Sequence, residues 1–417
     1  MSKFVKSYQA WLTVFMGSLY FFDLFAQMNI FNAVGDGMKQ TMHLTDLDYS
    51  KLVNAFFYGN LLFLFPAGWL IDQVPTKRLL LILTALIGAA TYIMGSIQTF
   101  YAMIWVRFFM GILGSFALLV VLKLVSQNFK NDQLAWVTGI SVMIGVAGGC
   151  VSQAPMVWLV DHYGWQMSMQ LYGWAHLPLW IMMILVVPKE SGSHFSMNNQ
   201  SLLDNLSEIG KVFANGQTWL SGLSISLMNL SVFVFGAWGI SYLHTVNQLS
   251  RSSASEILAY FFVGMMLGSP IFGYLADLYD IWHFKRQPNR TIWMWVSSLG
   301  MLICLLWMIF SHASSFAVMV TLFFLIGLFS GGQCIGYTLV NEHSVAHLSA
   351  RNNSLASFIV LAGGLIHPVV ALLLSAPRPS FMVDFQMAFM LLPVGILCAM
   401  VCLAFIQETH GKNLSKK

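Results

Sequence analysis

Charge is what this chain has least of. Only 9% of its 417 residues are Asp, Glu, Lys or Arg, against about a quarter in a soluble globular protein. With 58% hydrophobic residues besides, an ordinary water-soluble domain is excluded. The net charge of +4 is spread between apolar runs and makes no nucleic-acid surface. Cysteine is scarce too: Cys150, Cys304, Cys334, Cys398 and Cys402 all sit in apolar runs. None has the spacing of a zinc knuckle or a redox pair, so they read as reduced packing residues. HExxH spacing, a nucleophile with an oriented base, a phosphate-binding loop and a repeated selectivity filter are missing, which argues against an enzyme, a channel, a bound metal or a cofactor. No small-residue cleavage site follows MSKFVKSYQAW, so the first apolar run is expected to stay as a signal anchor.

What the chain has in abundance is apolar length. Runs near 9–34, 50–71, 79–97, 101–127, 135–159, 168–187, 218–243, 254–276, 291–311, 315–341, 353–376 and 385–407 each approach the ~20 residues that cross a bilayer. That predicts an all-α membrane protein of twelve transmembrane helices, in two six-helix bundles at 1–188 and 218–417. Lys and Arg test the count, because they are enriched in cytoplasmic loops. With the amino terminus inside, fifteen of the twenty fall inside, four (Lys39, Lys51, Arg251, Arg378) outside, and Arg107 lies within a span. Both termini are therefore expected in the cytoplasm, and the bilayer is the chain's first partner. The segment 189–217 reads as a cytoplasmic linker, in which Leu202, Leu206, Ile209 and Phe213 recur at the spacing of a short amphipathic helix.

The second and third spans are joined by a charged hinge, GWLIDQVPTKR, Gly68 to Arg78. Aligning 45–72 with 250–277 at a constant offset of 205 gives eight identical positions, among them Phe56/Phe261, Phe57/Phe262, Gly59/Gly264, Gly68/Gly273, Leu70/Leu275 and Asp72/Asp277. Such an internal repeat is a mark of secondary transporters.

These residues resemble the major facilitator superfamily over essentially the whole chain. Gly68-x-Leu70-x-Asp72 with Lys77-Arg78 is similar to its signature between helices two and three, and Gly273-x-Leu275-x-Asp277 with Lys285-Arg286 to the degenerate second copy. Gln73 and Pro75 depart from the pattern, and the later basic pair leaves the partner of Asp277 open. Arg107-x-x-x-Gly111-x-x-Gly114 and Gly164-Trp165 resemble further family features. The resemblance implies the major facilitator fold, two pseudo-symmetric bundles around a cavity lined by helices one, four, seven and ten, and a monomer working by alternating access. It makes Gly68, Asp72, Lys77, Arg78, Gly273 and Asp277 the conformational gate. The stretches at 107–129 and 145–165 look like a branch of nutrient and siderophore importers in intracellular bacteria, which implies a bacterial inner membrane.

Two ionisable groups lie deep in the first half, Asp23 and Arg107. Each costs ~2.5–3.5 kcal/mol at a helix centre. With helices one and four side by side in the family fold, an Asp23–Arg107 pair is the expected proton-coupling switch. Polar groups at helical spacing supply the substrate-binding candidates: Tyr20 and Gln27 flanking Asp23, Tyr58 with Asn54, Gln153, Asn229, and the Gln333 and Tyr337 stripe. His176 reads as a packing residue, because helix six is an outer support in this fold, and His367 as a weaker cavity candidate. The Gly145, Gly148 and Gly149 cluster reads as a close helix approach. Proton-driven exporters of the family usually carry Gly-Pro there, whereas Pro155 follows Ala154. The expected function is proton-coupled import of a small polar solute; the alternative is proton-antiport efflux of drugs or metabolites.

Overall fold

A hydroxyl starts each copy of the repeat. Thr45 Oγ1 accepts from the Asp48 N–H and Ser250 Oγ from the Ser253 N–H, each satisfying one of the free donors at a helix start. The computed structural model describes residues 3–129, 134–188, 210–278, 289–310, 315–344, 349–375 and 381–410. The described residues that form regular structure are helical, in two compact units: Met1–Ser196 with Gly236–Ser241, and Met197–Phe235 with Tyr242–Lys417. Of the linker helix expected at 202–213, Leu202, Leu206 and Ile209 lie outside the described residues.

The first unit runs α1 (Lys3–Asn29), α2 (Phe31–Met42), α3 (Asp46–Gln73), α4 (Thr76–Met94), α5 (Phe100–Gly114), α6 (Ala117–Asn128), α7 (Leu134–Val151) and α8 (Ala154–Val186). Gly164, at φ +77°, divides α8 into two crossings, a backbone state that glycine adopts without a Cβ penalty. The remaining helices are α9 (Gly216–Met228), α10 (Leu230–Val246), α11 (Arg251–Leu278), α12 (Arg290–Phe310), α13 (Phe316–Ser330), α14 (Cys334–Glu342), α15 (Ser349–Ala362), α16 (His367–Leu374), α17 (Phe381–Phe389) and α18 (Leu391–Ala404). Short 3₁₀ turns at Gly331–Gln333 and Gly363–Ile366 interrupt two of these crossings. Ten stretches among the described residues are long and apolar enough to span a bilayer, one of them the divided Gly139–Val186. The chain is an all-helical membrane protein with about ten to twelve spans.

The bilayer explains where apolar side chains go. Leu62, Trp105, Leu185, Ile303 and Val401 are largely exposed, a surface water would penalise and lipid accepts. Association of helices in lipid rests on close packing, and both units build it the same way. A Cβ on Gly59 would lie 2.0 Å from Phe108 O, and one on Gly111 2.0 Å from Phe56 O, so α3 and α5 meet main chain to main chain. In the second unit Gly264 meets Phe324 O at 2.1 Å and Gly327 meets Phe261 O at 1.9 Å, joining α11 to α13. The repeated Phe and Gly positions are the same side of one kind of crossing, built twice. Gly148 against Phe22 O does the same for α1 and α7, as expected of that glycine cluster.

Candidate functional site

Tyr20, Asp23 and Gln27 stack along one face of α1, and each is held by a different neighbour. Tyr20 donates to Leu113 O at 2.8 Å, a carbonyl in the last turn of α5. Gln27 Nε2 donates to Thr91 Oγ1 of α4 at 2.7 Å. Asp23 turns to α8, where Tyr172 OH donates to Asp23 Oδ1 at 2.7 Å and His176 Nε2 stands 3.0 Å from the same oxygen. Asp23 is 4% exposed and His176 5%. Gly88 of α4 makes the room: a Cβ there would meet His176 Cβ at 2.7 Å.

The expected Asp23–Arg107 pair is not formed. The reason is packing: α5 runs along α3 and α4 and meets α1 at its last turn, at Leu113, about two turns past Arg107, whereas α1 runs along α6 and α7 and turns Asp23 to α8. His176, expected to be a packing residue, is the side chain that stands against Asp23. Its sequence signal was present, since Tyr172 and His176 at i, i+4 put two polar groups on one face of an apolar span. Arg107 is wholly buried against two aromatic rings, its Cζ 4.1 Å from the Phe31 centroid and 4.5 Å from that of Phe56.

The imidazole is held at both nitrogens. His176 Nδ1 lies 2.9 Å from Tyr172 O, and a carbonyl only accepts, so Nδ1 carries a hydrogen. Nε2 then faces a carboxylate oxygen, off the hydrogen-bond line. Two lone pairs at that distance repel. One proton placed between the ring and the carboxylate would remove that repulsion.

The other candidates are dispersed. Gln153, at the break between α7 and α8, accepts from Asn32 Nδ2 at 2.8 Å. Tyr58 is half exposed, away from the α1 stripe. In the second unit Asn229 sits at the break between α9 and α10 and donates to Ile225 O. Gln333 closes the 3₁₀ turn in the tenth crossing with Oε1 unpartnered, and Tyr337, one turn on, reaches Ser357. His367 is buried at the start of α16.

Of the gate candidates, the Asp72 side chain lies outside the described residues, as does the Lys285-Arg286 pair. Gly68 and Gly273 meet nothing where a Cβ would stand. Lys77 Nζ donates to Ile184 O and Val187 O, where a cation suits the carbonyl end of a helix. Lys123 Nζ donates to Ile71 O, and Arg78 is exposed. Asp277 finds its partner in Arg290, which also holds Glu342 at 3.1 Å. Glu342 accepts from Thr409 Oγ1. Glu408 accepts from the Thr291 N–H and hydroxyl, each at 2.7 Å. Burial alone would raise the Glu408 carboxyl, but hydrogen bonds from Thr291 and His410 outweigh it and hold the group below its usual range.

The sequence pattern of the Major Facilitator Superfamily matches residues 16–248 and 234–417. A Schizosaccharomyces pombe protein named as an uncharacterized transporter is 26% identical over 120 residues, covering 27% of this chain but only 23% of its own length. Three solved structures share the fold at low identity. A D-xylose–proton symporter superposes with TM-score 0.75 at 12% identity, covering 98% of this chain and 99% of its own. A bacterial homologue of the human lysosomal transporter Spinster, inward-facing and unoccupied, gives 0.71 at 13%, covering 97% of each chain. The nucleoside transporter NupG gives 0.71 at 14%, covering 95% and 100%.

Proposed function

The chain belongs to the Major Facilitator Superfamily, and on that premise we propose that it is a proton symporter importing a small polar solute, with Asp23 and His176 as its proton site. One observation carries this reading: Asp23 and His176 meet with Nε2 3.0 Å from the carboxylate oxygen, both buried among apolar helices, where one proton shared by the two would leave the pair neutral. Protonated, the pair is neutral overall and fits its dry surroundings. Deprotonated, it leaves a buried carboxylate facing a neutral ring, at a cost of several kcal/mol. That charge favours whichever arrangement returns Asp23 to water, so proton binding and the orientation of the carrier bias each other. A proton driving force equivalent to about 150 mV, from a pH difference or a potential, supplies about 3.4 kcal/mol, enough for about two to three orders of magnitude of accumulation.

Lys and Arg placement supports both termini and the charged hinge on the cytoplasmic side. The importer branch of intracellular bacteria and a bacterial inner membrane belong to the proposal alone, since the curated relative named above is a yeast protein. The alternative is proton-antiport efflux; Ala154 before Pro155 favours import. The test is uptake into proteoliposomes under an imposed pH gradient. Asp23→Asn is expected to abolish accumulation while exchange of pre-loaded solute continues, and His176→Gln to shift the pH profile of uptake. Accumulation by Asp23→Asn at the wild-type level would end the reading, and solute leaving against the gradient would select efflux.

A further inference from the structure

Among the described residues Arg107 has no counter-ion. Its Nε, Nη1 and Nη2 are buried without a hydrogen-bond partner, and Asp23 is engaged with α8. An isolated buried cation is costly, and the two rings offset only part of that cost, about 1–2 kcal/mol each at best. The rings also decide what else can approach. The Phe31 and Phe56 rings both stand against the guanidinium carbon, and aromatic rings offer its N–H groups no hydrogen-bond acceptor of their own. An edge of parallel donors matches a planar carboxylate bidentately. The helix that α5 packs along adds polar groups in the same condition: both side-chain atoms of Asn54, and Asn60 Oδ1, are buried and unpartnered on α3.

We infer that Arg107 anchors a carboxylate of the transported solute, so that the substrate class is a small carboxylic acid. The inference rests on the proton-symport reading for its transport consequence and on the Arg107 geometry alone for binding. With a monocarboxylate, one proton on the Asp23–His176 pair and one negative charge on Arg107 move together with no net charge. Uptake then follows the pH difference and ignores an imposed membrane potential.

The experiment uses the purified full chain with gluconate, succinate and citrate, their neutral polyol or amide counterparts, and inorganic phosphate. Binding is read as the rise in melting temperature, and transport as entry of the radiolabelled compound into proteoliposomes. At least one carboxylate is expected to raise the melting temperature, and its neutral counterpart to leave it unchanged. Arg107→Lys keeps a charge but not the fork and is expected to weaken that carboxylate about 10- to 100-fold; elution as a monodisperse peak checks its fold. No response of the wild type to any carboxylate, an equal response in Arg107→Gln, or binding of phosphate in place of carboxylates overturns the inference. The two readings fail separately. A neutral sugar accumulated in an Asp23-dependent way leaves proton symport standing without the carboxylate anchor. Arg107-dependent carboxylate binding that no pH gradient turns into uptake leaves the anchor standing without symport.

Discussion

In the first unit Asp23 and His176 meet in mid-span, each about 5% exposed or less. In the second, Arg290, Asp277 and Glu342 meet at helix ends, where the Asp277 side chain is 66% exposed. The same chemistry has different worth in the two places. A carboxylate in mid-membrane changes its energy by several kcal/mol when it gains or loses a proton, so its protonation can drive a conformation. A carboxylate at the membrane face is screened by water, so the same gain or loss of a proton there changes its energy far less. The glycine crossings show the opposite relation, one device used identically in both units.

The largest effect that tests this contrast is on accumulation. Asp23→Asn is expected to lower the steady-state solute ratio by about two orders of magnitude or more, while Asp277→Asn slows uptake and leaves the final ratio in place. Equal losses in the two variants would erase the distinction. Next come the paired glycines. Gly59→Ala and Gly264→Ala each place a Cβ about 2 Å from a carbonyl oxygen and are expected to destabilise by about 1–3 kcal/mol, alike within error in thermal melts. A marked difference between them would mean that the two crossings carry unequal loads.

Arg290→Ala exposes a smaller term. It leaves Glu342, whose side chain is 14% exposed, without its cation. The expected loss, discounted for the solvent around Asp277, is about 1–2 kcal/mol. The smallest effect is at Glu408. Its folded-state pKa is depressed, so its contribution is fully present above the usual Glu value and fades as pH falls through the lower folded value. Glu408→Gln should cost about 1 kcal/mol at pH 7, and the gap from wild type should close on acidification. A gap that widens in acid would reverse the assignment.

The fold was legible because lipid imposes long apolar runs and Lys and Arg mark their ends. The repeat at 45–72 and 250–277 also pointed at what the structure shows, since Phe56, Gly59, Phe261 and Gly264 are the contact residues of the crossings. The ionic partners were not legible. Periodicity tells which side chains share a face of one helix, but not which neighbour that face meets. Asp23 has a buried arginine among the candidates and takes a histidine 153 positions along the chain. Asp277 has the Lys285-Arg286 pair nearby and takes Arg290, the first residue of α12. Helix neighbours are fixed by contacts such as Gly88 against His176, where the informative residue is the one with no side chain.

At the α3–α5 crossing the touching surfaces are peptide groups, which have no rotamers to exchange. This pair of helices should therefore move as one stiff piece through the whole cycle. Leu62 and Trp105, on its outer surface, offer positions for spectroscopic labels whose separation stays constant, a built-in ruler against which every other distance in the working carrier can be calibrated.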